Sequence, residues 1–372
     1  VSHAFGAKDF KLLRHYVALS LILTLIISLL LTIPTVTASR LLLAWMHTPE
    51  NIIAMADAYI KVIFAGILLT MAYNVVSGIL RGIGDSRTPL YFLILSSVLN
   101  IILDVVLIVY TGLGTAGAAY ATIIAQGVSA VLCFFYMYRK YEILRTRRED
   151  YYLDSAGVKN MLAIGVPMAL NYSITAIGTM IMQSAVNVFG SSVVAAFTAA
   201  SKVSNIATQS MPTLGTAMAT YCGQNLGAGK YDRIYAGMRQ GLFLCFGAAA
   251  TAAAICIFGG RFIVSWFVSN PSEEIFSSAM QYLTIASWFF LPLAMIFLYR
   301  NALQGLDQGL IPMLSGVIEL ACRFGVIALV PASTGFFGVC FADPAAWAGA
   351  GIPLFITYLL WEHRIKQHHK AA

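Results

Sequence analysis

Three polar residues on two neighbouring apolar stretches could together hold a proton or a small cation. Asp104 lies in the stretch 89–110 with Asn100 one helical turn before it on the same face, and Thr122 lies in the next stretch, 115–138. With about 1.5 Å of helical rise per residue, the three lie about 9 to 15 Å from the short uncharged turn that joins the stretches. Carboxylate, amide and hydroxyl oxygens suit a proton or a hard cation such as Na⁺. We predict a cation-coupling site here. An aspartate that only hydrogen-bonds between packed helices is the alternative.

Four further charged residues fall inside apolar stretches, where a charge costs about 2.5–3.5 kcal/mol on insertion scales. Lys61 is near the end of its stretch, so its ammonium group can extend to the membrane surface. Glu319 and Arg323 are one helical turn apart, and this spacing predicts an ion pair between them. Together with Lys202, these two residues are also candidates for an interior polar pathway that contacts a substrate.

The composition predicts that the apolar stretches lie in a lipid bilayer. The chain has 372 residues, of which 59% are hydrophobic and 10% charged, whereas soluble domains average about 45–50% apolar and about 25% charged residues. The net charge of +7 comes mainly from Lys and Arg in short loops, a distribution that argues against nucleic-acid binding. The six cysteines form no C-x-x-C pair and are predicted to be buried thiols rather than disulfides or zinc ligands.

Ten stretches are long enough to cross a bilayer core of about 30 Å as helices. Asp343, Pro344 and Pro353 interrupt the tenth of them. The ten stretches cover residues 16–35, 58–80, 89–110, 115–138, 161–188, 193–222, 235–258, 276–300, 310–330 and 345–362.

The loop charges predict the orientation of the chain in the membrane. Of the 23 Lys and Arg residues, 18 lie at the two termini or in the connections on one side, and Arg300 is assigned to this group. Only Arg40 and Arg261 lie on the opposite side, and the other three lie within apolar stretches. Because an excess of Lys and Arg marks the cytoplasmic side, both termini are predicted to be cytoplasmic.

Small and helix-ending residues recur along the chain at an offset that grows from 221 to 223 residues. Residues 1–140 thereby correspond to 224–364 as two copies of a four-span block, and the spans in 161–222 precede only the second copy. A six-span repeat whose first copy lacks its two opening helices is the economical interpretation. The matched pairs are Gly6 with Gly227, Trp45 with Trp266, Pro49 with Pro271, Tyr59 with Tyr282, Leu80 with Leu303, Gly82 with Gly305, Pro89 with Pro312 and Gly112 with Gly335.

We therefore predict an all-α integral membrane protein made of two pseudo-symmetric helical bundles. The amino-terminal lobe covers residues 1–140, a cytoplasmic linker 141–158, the carboxyl-terminal lobe 159–364 and a cytoplasmic tail 365–372. Paired bundles of this kind are typical of transporters, in which the two halves rock about a central site.

Several motifs together resemble those of the MATE (multidrug and toxin extrusion) exporters. The resemblance implies a V-shaped, twelve-helix fold in two lobes, with ten helices present and the first two lacking, and antiport of amphipathic organic cations against H⁺ or Na⁺ without a cofactor. The motifs are Gly6-Ala-Lys-Asp9, Leu80-Arg-Gly-Ile-Gly-Asp85 with Pro89, Leu99-Asn-Ile-Ile-Leu-Asp104 and Gly223-Gln-Asn-Leu-Gly-Ala-Gly-Lys-Tyr231.

The resemblance also bears on the cation site. In the DinF-like branch, a cation site in the amino-terminal lobe uses an Asn, an Asp and a Thr to which Asn100, Asp104 and Thr122 correspond. A further Asp of that site is on the family's first helix, which lies in the segment that this chain lacks. The acids of the carboxyl-terminal site of the NorM-like branch have no counterpart in stretches 161–188 and 276–300.

The predicted function is multidrug efflux by alternating access, driven by H⁺ or Na⁺ at Asp104. The expected partners are the lipid bilayer and small amphipathic, often cationic substrates, and the protein is expected to be a monomer in the inner or plasma membrane. A flippase of lipid-linked oligosaccharide is the alternative, although it would need a more cationic cavity. A membrane enzyme is disfavoured because the sequence contains no clustered nucleophile, metal-site or phosphate-binding pattern.

Overall fold

The computed structural model describes residues 1–45, 48–268, 272–329 and 334–371, and these residues form helices and short connections without a β-strand. This confirms the predicted all-α fold class. Pro271 of the repeat, the last residue of the ninth predicted stretch and the last residue of the predicted tail lie outside the described residues. The chain divides into two compact units, Val1–Val158 and Lys159–Ala372.

The first unit is built from six helices and the beginning of a seventh. Its buried apolar core gathers side chains of α2, α4 and α6 together with Leu144 of the following turn. The helices are α1 (Ser2–Gly6), α2 (Phe10–Trp45), α3 (Glu50–Ala65), α4 (Ile67–Gly82), α5 (Arg87–Val105, continued by a π-helical turn Val106–Tyr110) and α6 (Gly114–Lys140).

The second unit contains the larger core, which involves most of its helices. Its first helix, α7, begins at Ser155, just before the boundary between the units. The helices are α7 (Ser155–Asn187), α8 (Ser191–Thr208), α9 (Ser210–Gly227), α10 (Tyr231–Ala254, continued by a π-helical turn Ile255–Gly259), α11 (Gly260–Val264), α12 (Glu273–Trp288), α13 (Phe290–Gly305), α14 (Leu310–Leu329), α15 (Gly335–Val339) and α16 (Ala342–Ala371).

Nine of the ten predicted spans have apolar helical counterparts in the described residues. Seven are helices, and two are bent pairs, α3 with α4 at 45° and α12 with α13 at 52°. The sixth stretch, 193–222, instead forms α8 and α9, and neither passes as an apolar span by length and hydropathy. The prediction of a single apolar helix there is not confirmed, because Ser, Thr and Asn are frequent in this part of the chain.

The repeat found in the sequence reappears in the local structure of each unit. The bends fall at Gly66 and at Phe289, 223 residues apart, which is the offset that relates Leu80 to Leu303. Gly112 and Gly335, another pair at this offset, have φ angles of +67° and +54°. A glycine adopts this left-handed conformation without steric cost, so the recurrence has a physical reason in the turns that these glycines form.

Helix α5 shows why the chain needs an apolar solvent. Leu90, Leu93, Ile94 and Ile101 are each more than half exposed, and only 6% of the most apolar window of this helix is buried within the protein. Soluble proteins rarely expose apolar patches of this extent. Lipid covers such a helix at no cost, since its backbone groups are hydrogen-bonded within the helix.

The segment predicted as a linker, 141–158, packs on the beginning of α2 in the first unit. His15 is only 4% exposed; its Nδ1 lies 3.0 Å from the carbonyl oxygen of Asp150, and its Nε2 lies 2.7 Å from Oδ2 of Asp154. Its ring stacks on Tyr152 at 4.1 Å between centroids. Asp154 accepts hydrogen bonds from the Gly157 N–H and from His15. These two hydrogen bonds, of which the one from Gly157 has the larger effect, lower the pKa of the Asp154 carboxyl.

The motif that contains Asp85 forms a compact turn between α4 and α5. Oδ1 of Asp85 accepts hydrogen bonds from the N–H groups of Arg87 and Thr88, and Oδ2 accepts from the hydroxyls of Thr88 and Tyr141. Burial alone would raise the pKa of Asp85, but these hydrogen bonds and the nearby Lys140 outweigh it and lower the pKa to about 2. The residues of this motif therefore have a structural role in fastening the start of α5.

Candidate cation site and charged cluster

Helices α5 and α6 bring Asn100 and Thr122 together, as their spacing predicts. The Asn100 Nδ2 lies 3.4 Å from Oγ1 of Thr122, and the Thr122 hydroxyl donates to the carbonyl oxygen of Ala118 at 3.0 Å. Because the Asn100 amide faces Thr122 with its nitrogen, its oxygen is left to accept from, or coordinate, another group. Both side chains are half-buried.

Asp104 follows Asn100 by one turn of α5 and has no basic partner in the described part of the chain. Its Oδ1 is buried and has no hydrogen-bond partner among these residues. A buried acceptor left without a donor costs about 1–3 kcal/mol, and more when it is charged. An oxygen of this kind is suited to receive a proton or a cation.

The backbone around Asp104 departs from the regular α-helix. Two residues after it, α5 widens into the π-helical turn Val106–Tyr110, a feature that is frequent at functional sites. The carbonyl oxygen of Leu107 accepts a hydrogen bond of 2.6 Å from the Thr111 hydroxyl. Gly117 of α6 lies so close to this turn that a Cβ there would be 2.8 Å from the same carbonyl oxygen. Close backbone packing therefore holds α6 against the π-helical turn.

We expect Gly117→Ala to destabilise the first unit by about 1–3 kcal/mol, because the added methyl group meets a backbone atom that only a helix shift can move. The measurement is the thermal unfolding midpoint in detergent. Gly78→Ala on α4 is the matched control, since a Cβ at Gly78 would have nothing within 4 Å. An equal midpoint for the two variants would show that the close approach of α6 to the π-helical turn does not limit which residue can occupy position 117.

Sequence reasoning missed a second polar pair beside the site. The Thr70 hydroxyl of α4 donates to Oε1 of Gln126, which follows Thr122 by one turn of α6. The buried Ser129 hydroxyl, almost another turn further, has no partner in the described residues. The i, i+4 spacing of Thr122 and Gln126 in an apolar helix was the signal that could have predicted a polar face on α6.

The predicted ion pair between Glu319 and Arg323 is wrong. Glu319 pairs with Arg300 of α13, and Arg323 pairs with Asp343 of α16, with 2.9 Å between the Arg323 Nε and the Asp343 Oδ1. Arg300, assigned to a loop from the sequence, is inside α13, with 11% of its side chain exposed. Asp343, interpreted as an interruption of the last span, supplies the counter-charge, and 13% of its side chain is exposed. Neighbouring helices thus offered closer partners than the next turn of α14.

The two lysines of the apolar stretches have different surroundings. Lys61 is exposed and its Nζ lies 2.7 Å from Oδ2 of Asp57, one turn earlier on α3. Lys202 of α8 is also exposed, and its Nζ lies 5.3 Å from the centre of the Phe267 ring. Lys202 and Arg323 line one cavity of the second unit, whereas Glu319 is not among the residues that line it.

The described residues contain no group of three or more His, Cys, Asp and Glu side chains arranged to hold a metal ion.

A family model described as MatE matches residues 1–106 and 167–329, which is more than half of the chain. The chain belongs to the MatE family. MatE proteins are membrane transporters rather than enzymes, and the family includes multidrug efflux transporters.

Curated relatives and a solved structure agree with the MatE assignment. The chain is 29% identical over 360 residues to "Probable multidrug resistance protein YpnP" of Bacillus subtilis (strain 168), which covers 96% of this chain and 80% of that protein. It is 25% identical over 325 residues to "Probable multidrug resistance protein NorM" of Thermotoga maritima, over 86% of this chain and 69% of that protein. The structure "Crystal structure of MATE in complex with MaL6" has the same fold, with a TM-score of 0.91, 22% identity and coverage of 98% of this chain and 83% of that one.

Proposed function

We propose that this MatE protein exports small amphipathic molecules by antiport, and that Asp104, Asn100 and Thr122 bind the coupling H⁺ or Na⁺. The observation that carries the proposal is the buried Oδ1 of Asp104, which has no partner in the described residues and is one turn from an Asn100–Thr122 contact. The names of the relatives, both described as multidrug resistance proteins, support drugs as the exported class.

Each of the three residues has a distinct role in this proposal. The Asp104 carboxylate carries the negative charge that a proton neutralises or a Na⁺ balances. The Asn100 amide oxygen and the Thr122 hydroxyl oxygen complete a set of hard oxygen ligands for Na⁺. The Asn100 Nδ2 keeps Thr122 in place through the 3.4 Å contact, and the Thr122 hydroxyl donates to its own helix.

Coupling follows from the reciprocity of binding. If occupancy of the Asp104 site changes the affinity for substrate by some factor, then substrate changes the affinity for the ion by the same factor. The π-helical turn after Asp104 and the close contact at Gly117 make the α5–α6 pair the element that responds to occupancy. Ion binding would shift this pair and favour the conformation that releases substrate to the outside.

The remaining assignments extend this proposal. We place the protein in the inner or plasma membrane with both termini in the cytoplasm, as a monomer of the DinF-like branch, with lobes at 1–140 and 159–364, a linker at 141–158 and a tail at 365–372. The loop charges support the orientation. The alternative, a flippase of lipid-linked oligosaccharide, is not supported by the relatives given above.

Transport into vesicles with separately imposed gradients tests the proposal. We expect export of a fluorescent drug to require either a proton gradient or a sodium gradient. The reason is that export is driven by the gradient of the ion that binds at the Asp104 carboxylate. The measurement is the accumulation of this drug in inverted vesicles that contain the protein. Three conditions are compared: a pH gradient alone, a Na⁺ gradient alone and neither gradient. Equal accumulation under all three conditions would contradict antiport.

A further inference from the structure

The second unit contains a cavity of about 420 Å³ that the proposed coupling site does not use. Six helices supply its walls: α7, α8, α12, α13, α14 and α16. The apolar part of the wall includes Phe197, Leu293, Phe297 and Trp347. This size is within the range of about 300–1,000 Å³ that is typical of pockets for small molecules.

A buried guanidinium group forms part of the cavity wall. Arg323 is 4% exposed, its Nε lies 2.9 Å from Oδ1 of Asp343, and the other oxygen of Asp343 accepts a 2.9 Å hydrogen bond from the Tyr282 hydroxyl. The Arg323 Nη1 is buried without a hydrogen-bond partner in the described residues. It lies against Gly178, where an added Cβ would clash with it. Asp343 therefore leaves part of the hydrogen-bonding capacity of this guanidinium unused.

The charges on the cavity wall do not cancel. Arg323 and Asp343 balance each other, and Lys202 adds a positive charge that no carboxylate on this wall neutralises. The Lys202 Nζ is near the face of Phe267, a contact that stabilises the ammonium group without removing its charge. The wall also carries the neutral polar groups of Ser201 and Asn205. A cation would therefore meet net repulsion in this cavity, and an anion would meet net attraction.

We propose that this cavity binds the carboxylate group of an amphipathic molecule, with its apolar body against Phe297 and Trp347. Lys202 and Arg323 supply the charge and the donors that a carboxylate requires. The proposal makes anionic amphiphiles a cargo class of this transporter. Only that last step rests on the proposed transport function, because binding is measured without any gradient.

A pair of probes that differ only in their charged end tests the proposal. The purified protein in nanodiscs of phosphatidylcholine is titrated with 11-(dansylamino)undecanoic acid and, separately, with the amine that carries the same dansyl group and chain. Energy transfer from tryptophan to dansyl reports binding. We expect the carboxylate to bind at least about tenfold more tightly than the amine, which corresponds to ~1.4 kcal/mol. Equal binding, or tighter binding of the amine, would overturn the proposal.

Variants then locate the site. Lys202→Gln should weaken carboxylate binding about tenfold and should not weaken amine binding, because it removes a charge that attracts the carboxylate and repels the amine. Lys61→Gln, a matched control in the first unit, should change neither. The double variant R323Q/D343N removes the buried pair together, so that no buried charge is left without a partner, and the net charge of the wall stays the same. We expect it also to weaken carboxylate binding about tenfold, because the guanidinium donors are lost. Unchanged carboxylate binding in Lys202→Gln would contradict the role of Lys202. Unchanged carboxylate binding in the double variant would contradict the role of Arg323.

A membrane lipid could present the same anionic chemistry as a soluble cargo. Nanodiscs that contain phosphatidylglycerol distinguish the two sources. We expect carboxylate binding to persist in them within about twofold. Loss of binding in these nanodiscs would show that the cavity is a lipid site and would overturn the assignment to cargo. Failure of antiport in vesicles together with intact, Lys202-dependent binding would instead contradict only the proposed transport function.

Discussion

Asp104→Asn is expected to abolish gradient-driven export while the protein still folds and inserts in the membrane. Asparagine has almost the same shape as aspartate but can neither release a proton nor provide the negative charge that balances Na⁺. The coupling between ion and substrate, which in allosteric proteins is typically about 5- to 150-fold in affinity, would be lost. Folding should be preserved, because Oδ1 of Asp104 has no partner in the described residues that the substitution could break.

Drug resistance in cells and uptake by inverted vesicles measure this effect. The matched control is Asp57→Asn on α3, since Asp57 is an acid of the same unit that is paired with Lys61 and with the Ser39 hydroxyl. We expect the control to retain export and the Asp104 variant to fall to the level of cells without the protein. Wild-type resistance in the Asp104 variant, at equal amounts of protein in the membrane, would disprove the proposed site.

Glu319→Gln is expected to have the largest effect on stability. The substitution leaves the Arg300 guanidinium buried between α13 and α14 without its counter-charge, although Ser315 remains within 3.3 Å of its Nε. Removing one partner of a buried ion pair typically costs about 3–5 kcal/mol, because the charge that remains is neither solvated nor paired. We expect a marked fall in the thermal unfolding midpoint and in the yield of monodisperse protein.

The double variant R300Q/E319Q is the control for this prediction. It removes both charges and leaves two amides that can hydrogen-bond to each other, so we expect it to regain much of the stability lost in Glu319→Gln. The measurement is the thermal unfolding of Arg300→Gln, Glu319→Gln and the double variant in one detergent. The three values together give the coupling free energy between the two residues. A double variant whose loss equals the sum of the two single losses would show that the pair does not stabilise the fold.

The approach of Asn100 to Thr122 could be predicted because it depends on local geometry. Asn100 is close to the end of α5, a tight turn follows, and α6 returns beside it, so residues at equal distances from the turn lie at equal depth. The π-helical turn after Asp104 was not predicted, because nothing in the sequence Val106–Tyr110 distinguishes it from other apolar helix. The turn packs closely against Gly117 of the neighbouring helix, a tertiary contact that the local sequence does not show.

The charges of the second unit illustrate the opposite case. Helical spacing favoured a bond between Glu319 and Arg323, yet each is paired with a residue about twenty positions away in the chain. Spacing along a helix shows only which residues could meet on that helix. A buried charge is stabilised by the best counter-charge among all neighbouring helices, and their arrangement is not encoded in the local pattern.

The sequence by itself determined the membrane environment, the all-α class, the internal repeat and the resemblance to MATE exporters. These properties are sums or recurrences of local features: hydrophobicity along a helix, charges in loops, and glycines that recur at one offset. Only the tertiary structure decided the partners of Arg300, Glu319, Arg323 and Asp343, and with them the net charge of the second-unit cavity. The physical reason is that the energy of a charge in a low-dielectric interior depends on distances of a few ångströms to groups on other helices.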